Sequence, residues 1–191
     1  MNEKQVENLT RNSMAGLPGA EASFQLPEVR EALSRYDGAT YQDIQANLFQ
    51  FLDAVMPVAE EAKVHLAIHP DDPPCALIGL PRVVSTRDDI RQLVDHIALP
   101  SNGLCFCTGS FGSSSQNDVE SMASEVADRI HFAHARNVTK YNTRSFFESG
   151  HIDGDVDMAT VLAHLMNEMQ RSGRSIPIRP DHGPRMLTDR N

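Results

Sequence analysis

The sequence predicts an α/β fold assembled from parallel βα units, and two observations carry that prediction. Four strand-like apolar runs, at residues 64–70, 103–110, 129–137 and 176–183, alternate with stretches of helical periodicity. Strands separated by helices at this spacing are the pattern of parallel βα crossovers. Each run also closes on a residue type that binds metals: His69, Cys107, His134 and Asp181. The order helix-β-α-β-α-β-α-β fits four βα units, which is half of a (β/α)8 TIM barrel, or part of an open doubly wound sheet. No GxGxxG or P-loop sequence follows any of the strands, so nucleotide-binding folds lose weight.

The elements follow in order. Residues 1–27 form a polar lead-in with Gly16, Pro18, Gly19 and Pro27, and are expected to be mostly loop. A short helix is expected over 28–36. Thr40 is placed to cap a long helix from Tyr41 to about Ala62, because Ile44, Leu48, Phe51, Leu52, Val55 and Ala59 recur at helical spacing. The first strand, VHLAIHP, stops at Pro70, and the proline-rich DDPPCALIGLPR (71–82) reads as an ordered loop. Ser85-Thr86 followed by Asp88-Asp89 predicts a capped helix to about Leu99. GLCFCTGS (103–110) is the second strand, running into a loop through Gln116. Asn117 or Asp118 opens a helix to about Ala127, and RIHFAHARN (129–137) is the third strand. A longer connection over 138–154 carries Tyr141, Phe146, Phe147, His151 and Gly154. The helix Val156–Met169 puts Val161, Leu162, Leu165 and Met169 on one face, and IPIRPDHG (176–183) is the fourth strand.

Composition narrows the function classes. Seventeen basic against 26 acidic residues give a net charge of −9, and no basic stripe is present to follow a phosphate backbone, so a nucleic-acid partner is not expected. No apolar run approaches the roughly 18 residues of a membrane helix, and the polar first residues lack a signal-peptide core. Three cysteines, Cys75, Cys105 and Cys107, do not make a disulfide framework. The expected compartment is the reducing cytoplasm.

The chemistry rests on the strand ends. In a (β/α)8 barrel the carboxy ends of the strands face a common mouth, where the functional residues gather. Side-chain alternation puts His69 on the face of Ala67 and His65, Cys107 with Cys105, His134 with Phe132, and Asp181 with Arg179 and Pro177. Two imidazoles, a thiolate and a carboxylate suit a first-row transition metal better than magnesium or calcium, which prefer oxygen shells. Taken singly, each residue has a plainer reading: a strand-end histidine is more often a hydrogen-bonded structural residue, and a lone cysteine a small buried one. Their agreement in position is what favours a shared ion. Cys105 is expected in the core, and His65, His96, His131 and His164 in structural or surface roles.

The segments LTRNSMAGLPGAEASF (9–24), HPDDPP (69–74), GLPRVVST (79–86), CTGS (107–110), HFAHARN (131–137), GHIDGDVDM (150–158) and RPDHG (179–183) closely resemble the mannonate dehydratase family, in order and with matching spacing. The resemblance implies a (β/α)8 barrel related in architecture to xylose isomerase, dehydration of D-mannonate to 2-keto-3-deoxy-D-gluconate in hexuronate catabolism, and dependence on Mn2+ or Fe2+. It places the metal ligands on His69, Cys107, His134 and Asp181 and a catalytic histidine on His182. The family sequence has further barrel strands before the position matching Met1, and continues past RPDHG with a tyrosine assigned acid/base work. This chain has no tyrosine after Tyr141. The expectation is therefore a single partial barrel domain over residues 1–191, with open edges that make the chain associate, either as a homo-oligomer or with a complementing barrel fragment. Alternatives are a non-catalytic fragment and a related sugar isomerase or epimerase.

Further roles are expectations of the same kind. Arg82 and Arg136 offer guanidinium forks to a substrate carboxylate, and each also reads as a surface arginine. His151 could reach sugar hydroxyls from its loop. Asp71 and Asp72 could fix histidine tautomers beside the metal, or only satisfy backbone N–H groups in the proline-rich turn.

Overall fold

The computed structural model describes residues 2–6, 8, 26–142 and 145–180. The chain divides into two compact units, Met1–Ala39 and Thr40–Asn191. In the first, helix α1 (Leu26–Ser34) starts two residues before the sequence predicts. It ends in a turn at which Gly38 takes a φ of 78°. The lead-in segment 9–25 lies outside the described residues.

The second unit opens with α2 (Tyr41–Ala62), whose N-terminus is a reciprocal capping box: the Thr40 side chain accepts from Asp43 N–H, and Asp43 accepts from Thr40 N–H. The helix runs through Pro57 and stops where Lys63 adopts a left-handed conformation with φ 56°. Leu52, Met56 and Ala59 form its buried stripe. β1 (Leu66–Ile68) follows, then the 71–82 loop, then α3 (Arg87–His96) behind a second capping box between Thr86 and Asp89. β2 (Asn102–Cys107) leads directly into α4 (Thr108–Gly112). The sequence reading carries the strand on to Ser110 and then a loop through Gln116, and both are corrected here by the helix over 108–112. The chain turns helical at once because the Cys107 side chain accepts from Ser110 N–H, the bond that normally caps a helix.

α5 (Val119–Glu125), capped by Asp118, precedes β3 (Ile130–Ala135). The predicted long connection contains an antiparallel ribbon, β4 (Val138–Asn142) against β5 (Ser145–Glu148). Asn137 ties the loop after this ribbon to the end of β3. Its side-chain amide donates to the carbonyls of His151 and Val156, and its oxygen accepts from Val156 N–H. α6 (Met158–Ser172) ends at Gly173 in a left-handed conformation, and β6 (Ile178–Pro180) completes the sheet.

The sheet has the order β1-β2-β3-β6, every pair parallel. This is the α/β architecture the alternating pattern predicts. One face carries the core: Leu104 and Phe106 from β2 and Ile130 and Ala133 from β3 pack with Leu52, Met56, Ile90, Leu93, Val161 and Leu165 from the helices. Phe106 and Phe111, both fully buried, meet with ring centroids 5.2 Å apart. Arg174 secures the return from α6, donating to the carbonyls of Ile130 and Ala127. Among the described residues, no helix is long and apolar enough to cross a membrane.

Candidate metal centre

Because all four strands are parallel, their carboxy ends lie along one edge of the sheet. The face opposite the core there carries His69, Cys107 and His134. The β2–β3 register pairs Cys107 directly with His134, and the β3–β6 register pairs His134 with Arg179. One donor atom from each of His69, Cys107 and His134 lies within 4.8 Å of the other two. Cys107 Sγ and His134 Nδ1 are 3.4 Å apart. Metal–donor bonds of about 2.0–2.3 Å place donors on one ion roughly 3.3–4.6 Å from each other, so the three groups are close to the spacing a shared cation needs. The fourth predicted ligand, Asp181, and the predicted catalytic His182 lie outside the described residues.

Local structure prepares each donor differently. His69, just past β1, has Nδ1 2.7 Å from the carbonyl of Pro70. A carbonyl only accepts, so Nδ1 carries the proton and Nε2 is the nitrogen left for a metal or for the hydrogen bond with Cys107. A backbone carbonyl in this role is the usual way a ligating histidine is oriented. Cys107 is fully buried. Burial pushes its thiol up, but hydrogen bonds from His69 and Ser110 outweigh burial and hold Cys107 below its ordinary value. The same hydrogen bond with Cys107 raises His69, against its own burial. A sulfur biased toward thiolate beside two imidazoles is the donor chemistry of a transition-metal site, and the three residues fit such an ion.

The surrounding side chains differ from what the sequence alone suggests. Arg136 is buried. Its Nε is 3.0 Å from both carboxylate oxygens of Glu148, and it also pairs with Asp72. The guanidinium offered by sequence to a substrate thus meets two protein acids, which raise its pKa against the effect of burial. Asp71 accepts from the backbone N–H of Val83 and Val84, both at 2.8 Å. That is the plainer of its two expected roles. Arg82 reaches Asp71 at 3.5 Å and keeps a quarter of its side chain exposed. His151 is exposed in a turn, its carbonyl held by Asn137.

Sequence reading missed three contributors. Thr108 Oγ1 donates to the carbonyls of His134 and Arg136, locking the start of α4 to the end of β3. Ser110 contacts the Cys107 sulfur through both its N–H and its hydroxyl. Its signal was local: a polar residue three positions after a strand-end side chain, the spacing of a helix cap. Glu148 had no local signal, since it reaches Arg136 only through the β4–β5 ribbon.

Fold and site together define an α/β protein with a cluster of metal-type donors at the carboxy ends of parallel strands. The profile of the D-mannonate dehydratase (UxuA) family matches residues 1–191, and the chain belongs to that family. It is 46% identical over 194 residues to a mannonate dehydratase of Chromohalobacter salexigens, covering 99% of this chain and 50% of the relative. It is 44% identical over 198 residues to one of Rhizobium meliloti, covering 99% of this chain and 49% of that protein. The crystal structure of mannonate dehydratase from Streptococcus suis serotype 2 is similar with a TM-score of 0.80 at 34% identity, over 94% of this chain and 50% of that one. The chain spans about half the length of the curated relatives it matches.

Proposed function

We propose that this protein acts as a divalent-metal hydro-lyase that removes water from D-mannonate to give 2-keto-3-deoxy-D-gluconate, in the cytoplasm and with Mn2+ or Fe2+ as its cofactor. The observation that carries the reading is the convergence of His69, Cys107 and His134 in a chain matched from end to end by the dehydratase family. We assign His69, Cys107, His134 and Asp181 as the residues that would hold the metal. Bound there, a divalent cation would polarise the oxygens of the sugar acid and stabilise the negative charge that develops on elimination.

The protein's own groups do the rest. The imidazole of His182 is assigned to proton transfer, since its ordinary pKa lies near working pH. The carbon next to the carboxylate loses a proton, the adjacent carbon loses hydroxide, and the two leave as water. Arg82 is the freer guanidinium for the substrate carboxylate. Arg136 is proposed for the same contact through exchange with Asp72 or Glu148, and His151 for the sugar hydroxyls. Asp71 and Asp72 are proposed to support the histidines indirectly, by fixing the 69–84 loop and Arg136.

The four-stranded parallel sheet is proposed as half of a (β/α)8 barrel in one domain over residues 1–191, its lead-in being residues 1–27. The exposed position of Ala67 and His65 on the sheet face opposite the core supports this, because that face would line a barrel interior. A second copy or a complementing barrel fragment would then be the partner.

Metal analysis and a dehydration assay on the protein and on Cys107→Ser test the site. Bound metal and turnover are both expected to be lost. Unchanged metal content and unchanged turnover in Cys107→Ser would remove the assignment. His182→Asn is expected to keep its metal and lose turnover, and full activity would exclude proton transfer by His182.

A further inference from the structure

We propose that Ser110 is a positioning residue for the metal-binding sulfur: its hydroxyl and its backbone N–H both donate to Cys107 Sγ and set how that sulfur faces the ion. The inference rests on the metal-centre reading above and adds a residue to it. Ser110 is fully buried on the first turn of α4. Its Oγ lies 3.1 Å and its N 3.4 Å from Cys107 Sγ. A buried hydroxyl needs an acceptor for its proton, and the sulfur supplies it.

The turn that holds Ser110 is fixed from the other side. Ser113 Oγ donates to the Ser110 carbonyl at 2.8 Å, which fixes the backbone of that turn. Thr108 pins the same turn to β3. The sulfur is thus contacted by two Ser110 donors and by the imidazoles of His69 and His134. Donors to a thiolate lower the energy of its electron pairs, hold the sulfur in one orientation and leave one direction open for ligation, so that losing a donor loosens the ligand. A serine that only shaped the helix turn would do none of this to the sulfur's electrons.

Cobalt(II) reports the difference, because its sulfur-to-metal charge-transfer band follows the energy of the sulfur electron pairs. The protein is loaded with Co2+, and the near-ultraviolet band and the Co2+ dissociation constant are measured for wild type, Ser110→Ala and Ser110→Thr. Ser110→Ala removes an oxygen without adding volume, and a thermal melt checks that it folds. Its band is expected to move to longer wavelength and its Co2+ affinity to fall about ten- to a hundred-fold. Ser110→Thr, which keeps the hydroxyl, is expected to hold the wild-type band position. A wild-type band and wild-type affinity in a folded Ser110→Ala protein would overturn the positioning role and leave the metal centre standing. A wild-type protein that binds Co2+ with no sulfur band, or does not bind it, would overturn both.

Discussion

A Cβ added at Gly109 would sit 2.4 Å from Cγ of Arg136. Arg136 has little freedom to retreat, because Glu148 and Asp72 hold its guanidinium. Gly109→Ala is therefore expected to destabilise the protein by about 1–3 kcal/mol, the usual cost of overpacking, seen as a lowered unfolding midpoint in denaturant. A midpoint equal to wild type would show that the stem moves freely. The same crowding explains Gly154, where a Cβ would lie 2.2 Å from the side-chain oxygen of Asn137. Residue identities at the strand ends are set by such contacts as much as by chemistry. His69, Cys107 and His134 could be picked from sequence because each is a ligand type at a strand end. Ser110 carried a local signal, three positions after Cys107, but Glu148 could not be weighed without knowing that a ribbon brings it back to Arg136.

At the level of elements, caps and buried ion pairs decide where helices stop and how they dock. Thr86 and Asp89 close a capping box at α3, and Asp89 also accepts from Ser85 N–H and from the hydroxyl of Tyr41 on α2. Thr86→Ala is expected to cost about 1 kcal/mol, measured by chemical denaturation, and no change would mean that Asp89 alone holds the turn. On α6, Glu168 joins Arg171 and Arg174. Burial favours the neutral acid, but hydrogen bonds and charge from Arg171 and Arg174 outweigh it and hold the carboxyl below its ordinary range. A carboxyl lowered in the folded state stabilises above its unfolded pKa and loses that contribution as pH falls through the lowered value. Glu168→Gln is thus expected to lower the melting temperature at pH 7 and to converge on wild type under acid conditions. A deficit that is the same at both pH values would contradict the ion-pair account. The capping boxes were legible because their residues lie three apart. The β4–β5 ribbon was not, since its two short strands are read as one long connection until they pair.

At the scale of the whole molecule, the sheet leaves β1 and β6 as outer strands, each paired on one side among the described residues. Ile178 on β6 is 41% exposed, although its register partner Ala133 is buried in the core. Unpaired strand edges with exposed apolar residues invite association. A protein of these 191 residues is expected to sediment as an associated species at micromolar concentration, and a monodisperse, cooperatively melting monomer would refute the half-barrel reading. Strand–helix alternation, the capped starts of α2 and α3, and the choice of all four proposed ligands came from local sequence, because periodicity, caps and strand ends are properties of short segments. The pairing of Cys107 with His134 and the burial of Arg136 between two acids were decided only by tertiary structure. Each depends on register and crossover packing between segments up to 64 residues apart, and no short stretch of chain encodes that distance.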